Sequence, residues 1–230
     1  MAAVPGFVLG SDLRRWWQAR RCRSEALRQY YRVDYATLDT PWTGTEFLAL
    51  DLETTGLDPE RDAILSIGWV PIVRGAIVLA EADHRLVAAD RDVPAESAVI
   101  HGILDRHLTD APALADVLPA LFEALTGRLP VAHHASIEAG FLGAACRRLW
   151  GCPLIVPFVD TLRLERRQYA RRGAVGGVGD FRLAAARARY NLPRYRGHHA
   201  LADAIGCAEL FLAQAAAMSG RQPVKVEDVL

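Results

Sequence analysis

Phe47-Leu48-Ala49-Leu50-Asp51-Leu52-Glu53-Thr54-Thr55-Gly56-Leu57 is an apolar run that turns polar within a few residues. Its first part reads as a buried strand, and Gly56-Leu57-Asp58-Pro59 closes it as a strong turn signal. Residues i and i+2 of a strand share a face, so Asp51 and Glu53 present their carboxylates together. Two like charges side by side need a counter-charge, and a divalent cation with oxygen ligands is the simplest one. Taken alone, the pair is more simply an ordinary strand end whose acids reach solvent. The rest of the chain has to decide.

Downstream, Ala63 to Ile72 is a second apolar strand, and a third follows the Arg74-Gly75 turn around Ala76 to Ala82. The three form an antiparallel meander. Residues 112 to 126 fit an amphipathic helix with Leu114, Val117, Leu118, Leu121 and Leu125 on one side. Leu129 to Ala132 is a short strand, Ser136 to Leu149 a helix, Pro157 to Leu162 a short strand, and Phe181 to Tyr190 and Ala200 to Met218 the last helices. Strands first, then helix–strand alternation, predict an α/β domain with a mixed sheet. Gly173 to Gly179 holds four glycines but lacks the Gly-Lys-Ser/Thr ending of a phosphate loop, so it reads as a site-edge loop or linker. Upstream, residues 11 to 32 read as one helix capped by Ser11. Leu13, Trp16, Trp17, Leu27, Tyr30 and Tyr31 recur at helical spacing, with Arg14, Arg15, Arg21 and Arg28 opposite. The simpler reading packs that stripe on the main domain; the sharper one makes it a docking or nucleic-acid-binding arm. The expected division is a helical extension and linker over 1–44, the main domain over 45–218 and an extended tail over 219–230.

The 230 residues, 51% hydrophobic and 23% charged, suit a single sizeable globular domain. No apolar run is expected to cross a bilayer, and the first ten residues lack a signal peptide's basic start and cleavage site. Cys22, Cys146, Cys152 and Cys207 are scattered without a C-x-x-C pair, which suggests neither zinc nor a disulfide framework and makes a reducing, cytoplasmic setting the default. The formal net charge is zero, yet residues 163 to 196 hold ten arginines against Glu165 and Asp180. That cluster is either a solvated helix face or a basic track for phosphates.

Three further places bear on the opening acids. His133-His134-Ala135-Ser136-Ile137-Glu138 runs from a strand end into a helix whose first turns carry Glu138. His198-His199-Ala200-Leu201-Ala202-Asp203-Ala204 opens an apolar helix, with His198 and Asp203 placed to face one cleft. His101-Gly102-Ile103 follows a loop.

At these residues the chain resembles the DEDDh branch of the DnaQ-like 3′–5′ exonucleases, which includes the proofreading epsilon subunit of bacterial DNA polymerase III. Asp51-x-Glu53-Thr54-Thr55-Gly56-Leu57 is similar to the family's first motif, His198-x-Ala200-x-x-Asp203-Ala204 to its third, and His101-Gly102-Ile103 to a further common segment. The second motif departs: His134, Ile137 and Glu138 stand where the family has Asn, Phe and Asp. The resemblance runs from about Phe47 to Leu212, and the final Val224 to Leu230 resembles the extended tail of many members.

The resemblance implies a ribonuclease H-like fold with a mixed five-stranded sheet flanked by helices, beside the N-terminal helical extension. It implies that Asp51, Glu53, Glu138 and Asp203 hold two Mg²⁺ or Mn²⁺ ions, with His198 as general base. By the same analogy Thr54, Thr55, Gly56 and Leu57 receive the terminal nucleotide, Leu57 as a wedge, with His101, Ile103 and His134 as further substrate contacts. The expected activity is release of nucleoside 5′-monophosphates from single-stranded DNA 3′ ends in replication proofreading or repair. RNA 3′-end trimming is one alternative, and a non-catalytic nucleic-acid or partner-binding module, marked by Glu138, is another. A polymerase or other protein partner is expected through the N-terminal helix.

Overall fold

The computed structural model describes residues 7–89, 91–173, 177–220 and 222–230, so part of the Gly173 to Gly179 loop lies outside the described residues. In chain order the elements are α1 (Phe7–Arg21), α2 (Glu25–Arg32), β1 (Phe47–Thr54), β2 (Ile64–Val73), β3 (Ala76–Ile77), β4 (Asp83–Leu86), α3 (Ala95–His101) and α4 (Asp105–Leu108). They continue with α5 (Leu114–Leu125), β5 (Leu129–Ala132), α6 (Ser136–Trp150), β6 (Val159–Asp160), α7 (Thr161–Arg171), α8 (Leu183–Arg189), α9 (Ala200–Met218) and α10 (Val226–Val229).

β1 pairs antiparallel with β2 and parallel with β5, and β5 pairs parallel with β6. The third strand expected over Ala76 to Ala82 is split. β3 pairs Ile72 and Val73 of β2, a 3₁₀ turn over Leu79–Glu81 interrupts the edge, and β4 resumes it opposite Ser66 to Trp69. The six strands therefore fill five positions of a mixed sheet.

Strand alternation sorts the core into two layers. Leu48, Leu50 and Leu52 of β1, with Ile67 and Trp69 of β2, face α2, α5 and α6. Phe47 and Ala49, with Val70 and Ile72, face α9. Asp51 and Glu53 continue that second series, so they lie on the face that α9 covers. At 19 residues α9 is by composition long and apolar enough to cross a bilayer, contrary to the expectation for the chain. Here Cys207, Ala208, Phe211 and Ala215 bury it against the sheet.

The N-terminal region corrects three expectations. The single helix over 11–32 breaks at Cys22–Ser24, where the Ser24 hydroxyl accepts from Leu27 N at 3.3 Å and caps α2. Leu27, Tyr30 and Tyr31 pack on the domain, whereas Trp16 and Trp17 stay 53% and 44% exposed under the guanidiniums of Arg20 and Arg21. Arg15, assigned to the outer side, is instead buried between the two helices. It donates to Tyr30 O at 2.8 Å and Val33 O at 3.0 Å, and its plane lies over the rings of Tyr30 and Tyr35.

The C-terminal residues are likewise not an extended tail. Val224, Val226 and Val229 are buried under α9, and that burial folds the last residues into the one-turn α10. The backbone of Leu38 to Trp42 pairs with that of Val224 to Glu227. Cys22 also meets Cys146 and Cys152, more than a hundred residues away in sequence, in one core layer, all three as buried free thiols.

Arg15→Met should lower stability by about 1–3 kcal/mol, because it strands the buried Tyr30 carbonyl and the half-buried one of Val33. Urea unfolding measures this, and an unchanged midpoint would refute the role given to the guanidinium.

Candidate active site

Three parallel strand ends and one helix start converge on a single edge of the sheet. β1 delivers Asp51 and Glu53, and a register shift between Glu53 and Thr54 then turns the chain out of the ladder. Its parallel neighbour β5 ends at Ala132 and leads through His133 and His134 into α6, whose first turn carries Glu138. β6 ends at Asp160, which caps α7 by accepting from Leu162 N at 3.0 Å and also accepts from His134 N at 3.0 Å. α9 brings Asp203 in its first turn.

α9 can come so close because of one residue. Gly68 of β2 stands directly opposite Asp51, and a Cβ built on it would overlap the backbone of Ala200 and Leu201. The helix start therefore rests on bare strand backbone. An isolated glycine inside Leu65-Ser66-Ile67-Gly68-Trp69-Val70 is the signal for such an approach, and reading that stretch only as an apolar strand misses it.

Carboxylate oxygens of Asp51, Glu53 and Asp203 lie within 4.8 Å of one another. Glu138 stands outside this group of three among the described residues, yet after burial its charge is the largest influence raising the pKa of Asp51, ahead of Glu53 and Asp203. Burial first and Asp203 second push Glu53 to about 7. Glu138 is pushed to about 8 by burial, with its own backbone N–H opposing and the Asp160 carboxylate adding to the rise. Its Oε2 is buried and has no hydrogen-bond partner among the described residues. Asp51, Glu53 and Glu138, their pKa values raised by burial and neighbouring charge, stand with Asp203 as a hard-oxygen donor set, one member with an unsatisfied buried oxygen, that fits divalent cations such as Mg²⁺ or Mn²⁺.

His198 is exposed beside this cluster with a left-handed backbone, φ +65°, and its N–H donates to Asp203 Oδ2 at 2.6 Å. His101 is close enough that, after burial, His198 is the second cause lowering its pKa. Its Nδ1 accepts from Ile103 N at 3.0 Å while Nε2 is buried without a partner among the described residues. Ile103 itself packs inward with Leu65 and Leu108, and Thr55 is likewise buried, so two of the expected substrate contacts are turned away from solvent. His134 is exposed with φ +74°. His133 is committed to structure, within 2.8 Å of Thr161 Oγ1 and Phe181 O.

The turn after β1 is wired by Asp62, another residue the sequence reading passes over. Thr55 Oγ1 donates to Asp62 Oδ1 at 3.0 Å, Asp58 N donates to Oδ2 at 2.9 Å, and a side chain on Gly56 would overlap that carboxylate. Thr54 Oγ1 donates to Gly56 O at 2.6 Å, and Leu57 is left 78% exposed at the tip. The arginine-rich region divides. Arg187 is buried, donating to Gly206 O and Pro193 O and paired with Glu209, and Arg189 pairs with Glu165. Arg163, Arg166, Arg171, Arg172, Arg182, Arg194 and Arg196 remain exposed.

Residues 48–211 match the exonuclease family model RNase_T. The chain belongs to this exonuclease family. The DNA polymerase III epsilon subunit of Treponema pallidum is 33% identical over 168 residues, covering 72% of this chain and 74% of that protein. The PolC-type DNA polymerase III of Thermotoga petrophila is 32% identical over 174 residues, 76% of this chain but 12% of the polymerase, so the chain spans a small part of such relatives. Exonuclease X, solved with 5′-overhanging duplex DNA, shares the fold at a TM-score of 0.59 and 24% identity, over 80% of this chain and 98% of its own. The nuclease domain of 3′hExo, a DEDDh family member, does so at 0.64 and 14%, over 80% and 96%. The ribonuclease H-like mixed sheet and the DnaQ-like resemblance of the motifs both stand.

Two outcomes test this site. A carboxylate whose pKa is raised by folding contributes stability that is present below its unfolded value and lost as pH rises through the folded value. Without divalent ions the melting temperature should therefore fall from about pH 4.5 to about 8, the window set by Glu53 and Glu138. Mg²⁺ or Mn²⁺ should reverse the fall and Glu138→Gln should flatten it; a profile indifferent to both would sink the cluster as a cation site. Gly68→Ala should weaken Mn²⁺ binding in calorimetry by about 10- to 100-fold, as loss of ligand-orienting support does.

Proposed function

We propose that this protein is a metal-dependent 3′–5′ exonuclease that releases nucleoside 5′-monophosphates from single-stranded DNA ends, in proofreading or repair. The observation that carries this reading is the convergence of Asp51, Glu53 and Asp203, with Glu138 pressing on Asp51 and His198 on the open side. Asp51, Glu53, Glu138 and Asp203 would hold two Mg²⁺ or Mn²⁺ ions. When bound, such a pair neutralises charge on the phosphate and on the departing oxygen and acidifies water.

The chain's own groups supply the rest. His198 takes the proton from the attacking water as general base. Its N–H to Asp203 ties that base to the acid cluster, so both move together. Water oxygen bonds to phosphorus, the bond to the 3′-oxygen of the preceding nucleotide breaks, and the nucleotide leaves with its 5′-phosphate. The Asp62-braced turn holds Thr54, Thr55 and Gly56 along the terminal nucleotide, and exposed Leu57 wedges against its base. His101 and His134 border the same pocket, Ile103 backing it from the core. The exposed arginines of α7, Arg182 just before α8, and Arg194 and Arg196 before α9 track the strand's phosphates, an attraction that weakens with salt. The Thr54-Thr55-Gly56 form and the DNA polymerase III relatives favour DNA over RNA. A polymerase or other protein partner, in a cytoplasmic setting, would engage the exposed Trp16 and Trp17 side of α1.

Labelled oligonucleotides with Mg²⁺ or Mn²⁺ test the proposal. The expected result is 3′-end shortening to mononucleotides, faster on single-stranded DNA than on RNA and abolished by Asp51→Ala. Shortening that survives Asp51→Ala defeats the mechanism, and faster loss of RNA makes the protein an RNA-trimming enzyme. Binding without cleavage makes it a non-catalytic module. Glutamate is one methylene longer than aspartate, so Glu138→Asp should change the rate by up to about 100-fold, the scale of a ~1 Å displacement.

A further inference from the structure

Across the sheet, Asp51 of β1, Gly68 of β2 and His84 of β4 are directly opposed neighbours. Directly opposed residues of antiparallel strands point to one face. The missing side chain of Gly68 leaves a notch in that row, with the Asp51 carboxylate as one wall and the His84 imidazole as the other. The start of α9 sits in the notch, against the Gly68 backbone. There the His199 ring meets the His84 ring at 4.4 Å between centroids and 30° between planes. His199 is the N-cap of α9, its Nδ1 accepting from Ala202 N at 3.5 Å. It directly follows His198, whose left-handed backbone is unfavourable for a non-glycine residue and persists only where the surroundings hold it.

We propose that His84 is a positioning residue for the reaction: its ring clamps His199 and thereby fixes the strained turn that aims His198 and Asp203. The proposal rests on the exonuclease reading only for its kinetic consequence. His84 touches neither substrate nor the reacting atoms; it acts through the backbone it holds. Removing the ring frees the His198 turn to relax away from φ +65° and to loosen the N–H bond to Asp203. An aromatic ring of similar size and no imidazole chemistry preserves the clamp.

Two measurements on the full chain decide it. In steady-state kinetics on a single-stranded oligonucleotide with Mg²⁺, His84→Ala should lower kcat about 10- to 100-fold, the cost of a small displacement of a catalytic group, with KM within about twofold. His84→Phe should recover most of the loss. A kcat within twofold of the unsubstituted chain overturns the proposal, as does a loss confined to KM, which would make His84 a substrate contact. Failure of His84→Phe to rescue also overturns it, because the imidazole itself would then matter. Independently of activity, amide exchange by NMR should show the His198 N–H less protected in His84→Ala and restored in His84→Phe; equal protection in all three removes the clamp. If the unsubstituted chain shortens no oligonucleotide, the exonuclease reading falls alone, and the exchange measurement still decides whether His84 holds the turn.

Discussion

The contact between the first turn of α9 and the bare backbone of Gly68 governs the rest of the molecule. Four acids gather at the sheet edge, where burial and neighbouring charge raise the pKa values of Asp51, Glu53 and Glu138. What holds them together is packing elsewhere: Cys207, Ala208, Phe211 and Ala215 anchor α9 to β1 and β2 along its length, and the glycine lets its first turn descend to the strand. The apolar part of the helix thus works against electrostatic strain at its start. A site built this way is poised for a cation, because the ion relieves a repulsion that the fold already bears.

The same logic explains how the acids differ. Asp51 and Glu53 are placed by strand alternation alone and Asp203 by a helix start. Glu138 comes from the opposite core layer, at the beginning of a helix that packs through Phe141 and Leu142. It reaches the cluster from the flank, buried and with one oxygen unsatisfied. Its charge raises the pKa of Asp51, although it stands outside the group that Asp51, Glu53 and Asp203 form among the described residues.

Most of the architecture could be read from the chain, because period-two and helical spacing survive wherever one face is buried. β1, β5 and α9 stand where their patterns put them. The failures have local causes. The helix expected over 11–32 is cut by Ser24, whose capping hydroxyl outweighs the continuing periodicity. Arg15 looks like surface until the carbonyls and rings around it are known. The acids and His198 were legible because their chemistry leaves a one-dimensional signature. Gly68, Asp62 and His84 were not, since each matters for what it opposes across the sheet or turn. That information resides in register and not in spacing.

The pairing of Leu38 to Trp42 with Val224 to Glu227 bears on the order in which the molecule forms. Those segments lie nearly a whole chain apart, and together they seal the core layer beneath α9. Bringing such distant segments together is entropically slow compared with closing local contacts. That pairing is therefore expected to close late in folding and to open early. Asp51, Glu53 and Asp203 lie on the layer this pairing seals, whereas Glu138 reaches them from the opposite one, so the site is complete only when both layers are packed.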